Sequence, residues 1–246
     1  KKFLFTEFGA AAHYAVCLRL TDGSPVVRLG EGIATALSPD GRWALSIVTE
    51  PRPHLVLLPT GPGEARSLDP GSIHTLDWAV WTPDGRGIVL SGYETGHAMR
   101  CYVLDATGGT PRPITPEGTS LYFPSSPISP DGQLLVAKSV DGRPTLFPMS
   151  GGAAQAMANL STDDWPIRWS TDGRFLYVQH EGGKIPAPVE RIEVATGKLE
   201  LWKTIAPADA SGASNLACIR LSDDGASYAY SYVRLLRVLY LVGDSK

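Results

Sequence analysis

The stretch Trp81-Thr82-Pro83-Asp84-Gly85-Arg86-Gly87 returns in altered form four more times in the chain. The other copies are Leu37-Ser38-Pro39-Asp40-Gly41-Arg42-Trp43, Ile128-Ser129-Pro130-Asp131-Gly132-Gln133-Leu134, Trp169-Ser170-Thr171-Asp172-Gly173-Arg174-Phe175 and Leu221-Ser222-Asp223-Asp224-Gly225-Ala226-Ser227. Successive Asp-Gly pairs stand 44, 47, 41 and 52 residues apart. A period of about 40–45 residues with four strands per unit marks a propeller blade. Each copy reads as a tight turn. Pro presets φ, Asp bonds nearby backbone N–H groups, and Gly takes the left-handed conformation. Five equivalent acids cannot all be catalytic, so Asp40, Asp84, Asp131, Asp172 and Asp224 are read as turn residues.

An apolar strand follows each turn, as in Ile88-Val89-Leu90 and Leu134-Leu135-Val136-Ala137. A Gly-containing turn comes 19 to 25 residues after each Asp, at Thr60-Gly61, Gly108-Gly109, Gly151-Gly152, Thr196-Gly197 and Gly243-Asp244. The unit is therefore strand a, Asp-Gly turn, strand b, loop, strand c, Gly turn, strand d. Phe3-Leu4-Phe5 matches strand b and Tyr14-Ala15-Val16-Cys17-Leu18 matches strand c, so the first copy lacks strand a. The last copy runs through strand c at Leu239-Tyr240-Leu241. The expectation is an all-β propeller of about six four-stranded blades, incomplete at both ends. The copies span approximately 1–30, 31–73, 74–119, 120–163, 164–210 and 211–246 in one domain. No window keeps a 3.6-residue period, and the 26 Gly and 20 Pro would break helices. A β-sandwich does not require one motif to return at this interval.

Composition narrows the function classes. At 246 residues the chain is long enough to bury a core without staples. A net charge of −3 gives no reason to expect nucleic acid, which usually calls for a basic face. The most apolar stretch, Tyr228 to Val242, is interrupted by Arg234 and Arg237, so no membrane contact is expected. The chain starts without Met or a recognisable signal peptide, and it reads as a piece of something longer. Cys17, Cys101 and Cys218 show no metal-ligand spacing and are expected to be small buried residues.

The five turns resemble the WD40-like repeats of TolB-type propellers, across essentially the whole chain. Two longer stretches narrow the resemblance. One is Trp81–Gly92 with Gly96-His97 and Ile114-Thr115-Pro116-Glu117-Gly118. The other is Ser227–Tyr232 with Leu239-Tyr240-Leu241-Val242. Both look like the C-terminal propeller of bacterial membrane serine/threonine kinases, of the type found in acidobacteria. That resemblance implies an extracytoplasmic sensor whose kinase lies outside this chain. The TolB likeness implies instead a protein–protein scaffold. A third reading is the gating propeller of an oligopeptidase.

No Gly-x-Ser-x-Gly elbow, His-Glu-x-x-His pair or nucleotide loop occurs. The chain is therefore expected not to be an enzyme and to need no cofactor or metal. A ligand, peptide or protein is expected at the face carrying the b–c and d–a loops. The candidates in b–c loops are Glu50, Arg52, Tyr93, Glu94, His97, Asp141, Arg143, His180, Glu181 and Lys184. Those in d–a loops are His74, Asp77, Trp78, Tyr122, Asp163, Asp164 and Trp165. Each has a plainer reading: Trp78 and Trp165 as packing between blades, the adjacent acids Asp163 and Asp164 as solvated or capping groups. Unclosed end blades would leave sheet edges open to pairing, so an edge-mediated homodimer is also an expectation.

Overall fold

The computed structural model describes residues 1–8, 14–123, 125–180, 183–222 and 224–235. The C-terminal strand expected at 239–241 lies outside them. Twenty strands and no helix are present among the described residues.

The strands fall into six antiparallel sheets in chain order. The first holds β1 (Lys2–Glu7), β2 (Ala15–Leu20) and β3 (Val27–Glu31). The second holds β4 (Ile33–Leu37), β5 (Trp43–Val48), β6 (His54–Pro59) and β7 (Arg66–Leu68). In the third are β8 (Ile73–Trp81), β9 (Gly87–Glu94), β10 (Arg100–Asp105) and β11 (Arg112–Pro113). The fourth has β12 (Leu134–Lys138), β13 (Pro144–Pro148) and β14 (Gln155–Ala156). The fifth has β15 (Trp165–Trp169), β16 (Phe175–Gln179), β17 (Ala187–Glu193) and β18 (Leu199–Ile205). The sixth has β19 (Ala213–Leu221) and β20 (Tyr228–Arg234). Within each sheet the strands pair in sequence order, the meander that short turns produce.

Among the described residues the fourth sheet has no regular inner strand. Isolated bridges remain there, Ser120 with Lys138 and Ile128 with Leu135, and Ser126 bridges in parallel to Arg168 of the next sheet. Pro127 and Pro130 bring no N–H to a ladder, so this stretch cannot pair continuously.

Packing shows how the sheets are arranged. Strand side chains alternate between two faces, and here each face feeds a different core. In β9, Ile88 and Leu90 join Leu45, Leu55 and Tyr102 between the second and third sheets. Val89, between them in sequence, joins Leu135 and Phe147 between the third and fourth. Val136, Trp169 and Leu176 fill the next interface. Ile167, Val189 and Ile219 fill the one after. Val16, Ala44 and Leu58 join the first sheet to the second. One core between each pair of successive sheets is a radial order, not two stacked layers. The first and last sheets also meet, where Lys1 Nζ donates to Ser227 Oγ at 3.3 Å. Lys2 Nζ, next in sequence, reaches the carbonyl of Gly41 in the second sheet at 2.7 Å.

The repeated turns share one hydrogen-bond pattern. Ser38 Oγ and Arg42 N donate to Asp40 Oδ1 at 2.6 and 3.0 Å, and Trp43 N donates to Ser38 Oγ at 2.9 Å. Gly41 closes the turn at φ +66°. The pattern recurs at Asp84, Asp131, Asp172 and Asp224. Hydroxyl donation, then backbone N–H donation, holds all five carboxyls below the usual range.

Cys17 and Cys101 are buried, and burial pushes the Cys101 thiol up to about 12. Cys218 differs from the expectation: it stays partly exposed on β19.

Candidate functional site

The fifth sheet brings Asp164, His180 and Glu190 together. Asp164 ends the loop before β15 and is almost fully buried. Ser161 fixes it, with backbone N and Oγ donating to Asp164 Oδ2 at 2.5 and 2.9 Å. His180 follows β16 and points one ring nitrogen at each carboxylate. Nδ1 is bonded to Asp164 Oδ1, and Nε2 lies 2.6 Å from Glu190 Oε2. A carboxylate oxygen at each ring nitrogen favours the imidazolium, in which both nitrogens donate. Burial opposes its charge, but the Glu190 hydrogen bond and the two carboxylates outweigh that, and the His180 pKa is raised.

Beside this cluster Tyr122 is buried, its ring edge-on to Trp165 at 6.3 Å. Trp165 opens β15 and remains exposed. Among the described residues the Tyr122 hydroxyl has no partner, and neither does Nε2 of buried Gln179, which faces Trp165 across the β15–β16 ladder. Burial, then the charges of Asp164 and Asp141, push the phenol pKa up. The next residue, Phe123, is exposed and packs edge-on against Trp78 at 4.4 Å. Aromatic contacts thus run from the third sheet to the fifth along this rim.

The remaining candidates divide by their contacts. His74, Asp77 and Trp78 were expected in a loop but lie inside β8. The inner strand begins earlier than the turn spacing suggests, and two bulges absorb the extra residues. Trp78 is buried in the core between the third and fourth sheets. His74 Nε2 lies 2.6 Å from the Thr95 hydroxyl. Surrounding atoms desolvate the Asp77 carboxyl and raise its pKa, and Ser91 only partly offsets this. Tyr93 and Glu94 end strand β9 rather than sitting in the loop. Glu94 accepts from Ser72 Oγ and from Arg100 Nη2, the latter at 2.8 Å, and its pKa falls accordingly. His97 Nδ1 lies 2.6 Å from Glu117 Oε1.

Asp141 and Arg143 form a sixth copy of the hydroxyl–Asp–Gly turn, at the opposite end of its strands. Ser139 Oγ donates to Asp141 Oδ1 at 2.5 Å, Arg143 N donates to the same oxygen at 3.3 Å, and Gly142 has φ +84°. Glu50 and Arg52 are exposed loop residues, with His54 Nδ1 2.8 Å from the Arg52 carbonyl oxygen. Asp163 is exposed beside the cluster, and Lys184 lies in the exposed loop before β17. Glu181 falls outside the described residues. Sequence reading missed Glu190 and Gln179. Both sit within strands, and no local pattern separates them from ordinary strand polar residues.

No group of three His, Cys, Asp or Glu converges on a metal position among the described residues.

Among solved structures the chain is similar to TolB from Acinetobacter baumannii, with TM-score 0.69 and 16% identity over 94% of this chain and 63% of that one. The chain therefore spans less than two thirds of that protein. The fold is a β-propeller of the TolB type. A putative TolB from Agrobacterium tumefaciens gives TM-score 0.66 and 17% identity, over 94% of this chain and 79% of that one. No protein-family model and no curated protein matches the sequence.

One expectation is corrected by these likenesses. The same fold appears in the oligogalacturonate lyase of Vibrio parahaemolyticus, at TM-score 0.62 and 15% identity over 93% of this chain and 66% of that one. It also appears in a putative 6-phosphogluconolactonase of Bacteroides uniformis and a periplasmic gluconolactonase of Pseudomonas aeruginosa, at TM-scores of 0.53 and 0.57. Enzymes use this architecture, so neither the fold nor the missing hydrolase motifs exclude catalysis.

Proposed function

We propose that this chain is a partner-binding propeller that engages a protein or peptide through the rim around Tyr122, Phe123 and Trp165. The observation that carries this reading is the exposed Phe123 and Trp165 flanking a buried phenol that has no hydrogen-bond partner among the described residues. Aromatic anchors with a polar handle are what protein interfaces favour. The ion-paired Asp164–His180–Glu190 group beside them offers a rigid polar border. The TolB likeness supports a protein partner and an extracytoplasmic setting. The periplasmic gluconolactonase of Pseudomonas aeruginosa, with the same fold, is consistent with that setting. The kinase-linked sensor reading draws no support from these likenesses.

The test is site-specific photocrosslinking in envelope extract. A photoreactive residue at Phe123 is expected to trap a discrete partner, and one at Arg42, on the turn-bearing face, is not. The trapped partner, once purified, is expected to bind wild type saturably and to lose at least tenfold in affinity for W165A. Crosslinks confined to Arg42, or equal affinity for W165A, would defeat the reading.

A further inference from the structure

Four residues before each repeated turn Asp, the inner stretch of successive sheets carries Ala36, Val80, Pro127, Arg168 and Arg220. Three copies keep this position apolar, and the last two place an arginine there. A cation so close to the packed cores costs free energy unless something pairs with it.

Arg168 meets that requirement inside the fold. Its Nη1 donates to the carbonyl of Leu221 on the next inner strand at 2.8 Å, and its Nε donates to the Trp169 carbonyl at 3.2 Å. Arg220 holds the same place in β19. The sheet that follows in the radial order is the first, whose β1 corresponds to strand b, so among the described residues no inner-strand carbonyl awaits it. Arg220 is partly buried, and among the described residues no hydrogen bond or ion pair engages its guanidinium. Nearby Arg168 carries a like charge and repels it. Burial lowers its pKa from the ordinary value, as it does for a cation with no compensating anion.

We propose that Arg220 is the receptor for a carboxylate group that enters beside the inner strand of the sixth sheet. The charge count selects the ligand. One uncommitted guanidinium beside one already engaged matches a monoanion better than a doubly charged phosphate. Its planar fork fits a carboxylate with two parallel hydrogen bonds. This site is separate from the aromatic rim and does not depend on the partner-binding reading.

Thermal unfolding of wild type, R220M and R220K tests it. Potassium acetate replaces potassium chloride at constant ionic strength. A short acetylated peptide with a free C-terminal carboxylate is compared with its amide. In chloride, R220M is expected to melt at or above the wild-type Tm, because it removes an unpaired charge and keeps the volume. Wild-type Tm is expected to rise with acetate concentration, as ligand linkage requires. R220K should respond more weakly and R220M should not respond. A larger rise with the free-acid peptide than with equimolar acetate, absent with the amide, assigns the carboxylate to a peptide C-terminus. Equal rises assign it to a small acid. The proposal is overturned if R220M melts well below wild type in chloride, which would mean that Arg220 already has a structural partner. It is also overturned if carboxylates shift R220M as much as wild type.

Discussion

His180 Nε2 lies 2.6 Å from Glu190 Oε2, and the opposite nitrogen of the same ring is bonded to buried Asp164. The pair joins the end of β16 to the middle of β17, and Asp164 ties both to the loop that enters β15. One ionisable ring thus fastens three segments at the candidate rim.

That arrangement fixes a pH dependence. The folded-state pKa of His180 is raised, so the ring holds its proton more tightly in the native state than in the unfolded chain. Its stabilisation is fully present below the unfolded value of about 6.5. It fades as pH rises through the higher folded value. Thermal melts of wild type and H180Q between pH 6 and pH 9 are expected to differ most at the acid end and to converge at the alkaline end. A constant difference would show that the ring does not titrate in this range.

Trp78 and Trp165 should behave oppositely although both lie in inner strands. Trp78 is 3% exposed and packed between sheets, so Trp78→Ala is expected to cost about 3–5 kcal/mol in denaturant unfolding. Trp165 is 43% exposed, and Trp165→Ala should change stability by about 0.5 kcal/mol or less. Its effect should appear in partner affinity.

Tyr122→Phe separates an idle phenol from a working one. The hydroxyl is buried without a partner, so removing it should leave stability unchanged or raise it by about 1 kcal/mol. Binding of the trapped partner should weaken. A clear loss of stability with no effect on binding would mark the hydroxyl as structural.

Two glycines at positive φ should differ in cost. Gly132, at φ +71°, meets nothing within 4 Å of an added Cβ, so Gly132→Ala should cost only the backbone penalty of about 1–2 kcal/mol. At Gly32, φ +105°, an added Cβ would fall 2.5 Å from the Ile47 carbonyl oxygen. Gly32→Ala should therefore destabilise more, measurable as a lower denaturation midpoint.

The fold was legible because its information is local and repeated. The turn needs Ser or Thr, Asp and Gly at fixed offsets, and the alternation of Ile88, Val89 and Leu90 already contains the two cores they enter. The irregular inner stretch of the fourth sheet follows from Pro127 and Pro130. The site was less legible. Asp164 and His180 stood out as loop residues, but Asp141 looked equally functional and proved to be a turn. Glu94 and His97 are occupied by Arg100 and Glu117, partners that lie across strands.

By itself the sequence determined the repeat, the turns and the all-β propeller, since each depends on contacts within a few residues and on the period of a strand. Tertiary structure alone decided that Glu190 completes the His180 pair, that among the described residues Tyr122 and Gln179 are left with unpaired polar atoms, and that Arg168 finds a carbonyl where Arg220 finds none there. Those outcomes depend on which side chains distant segments bring within about 3 Å of each other, the reach of a hydrogen bond. No spacing along the chain encodes that distance.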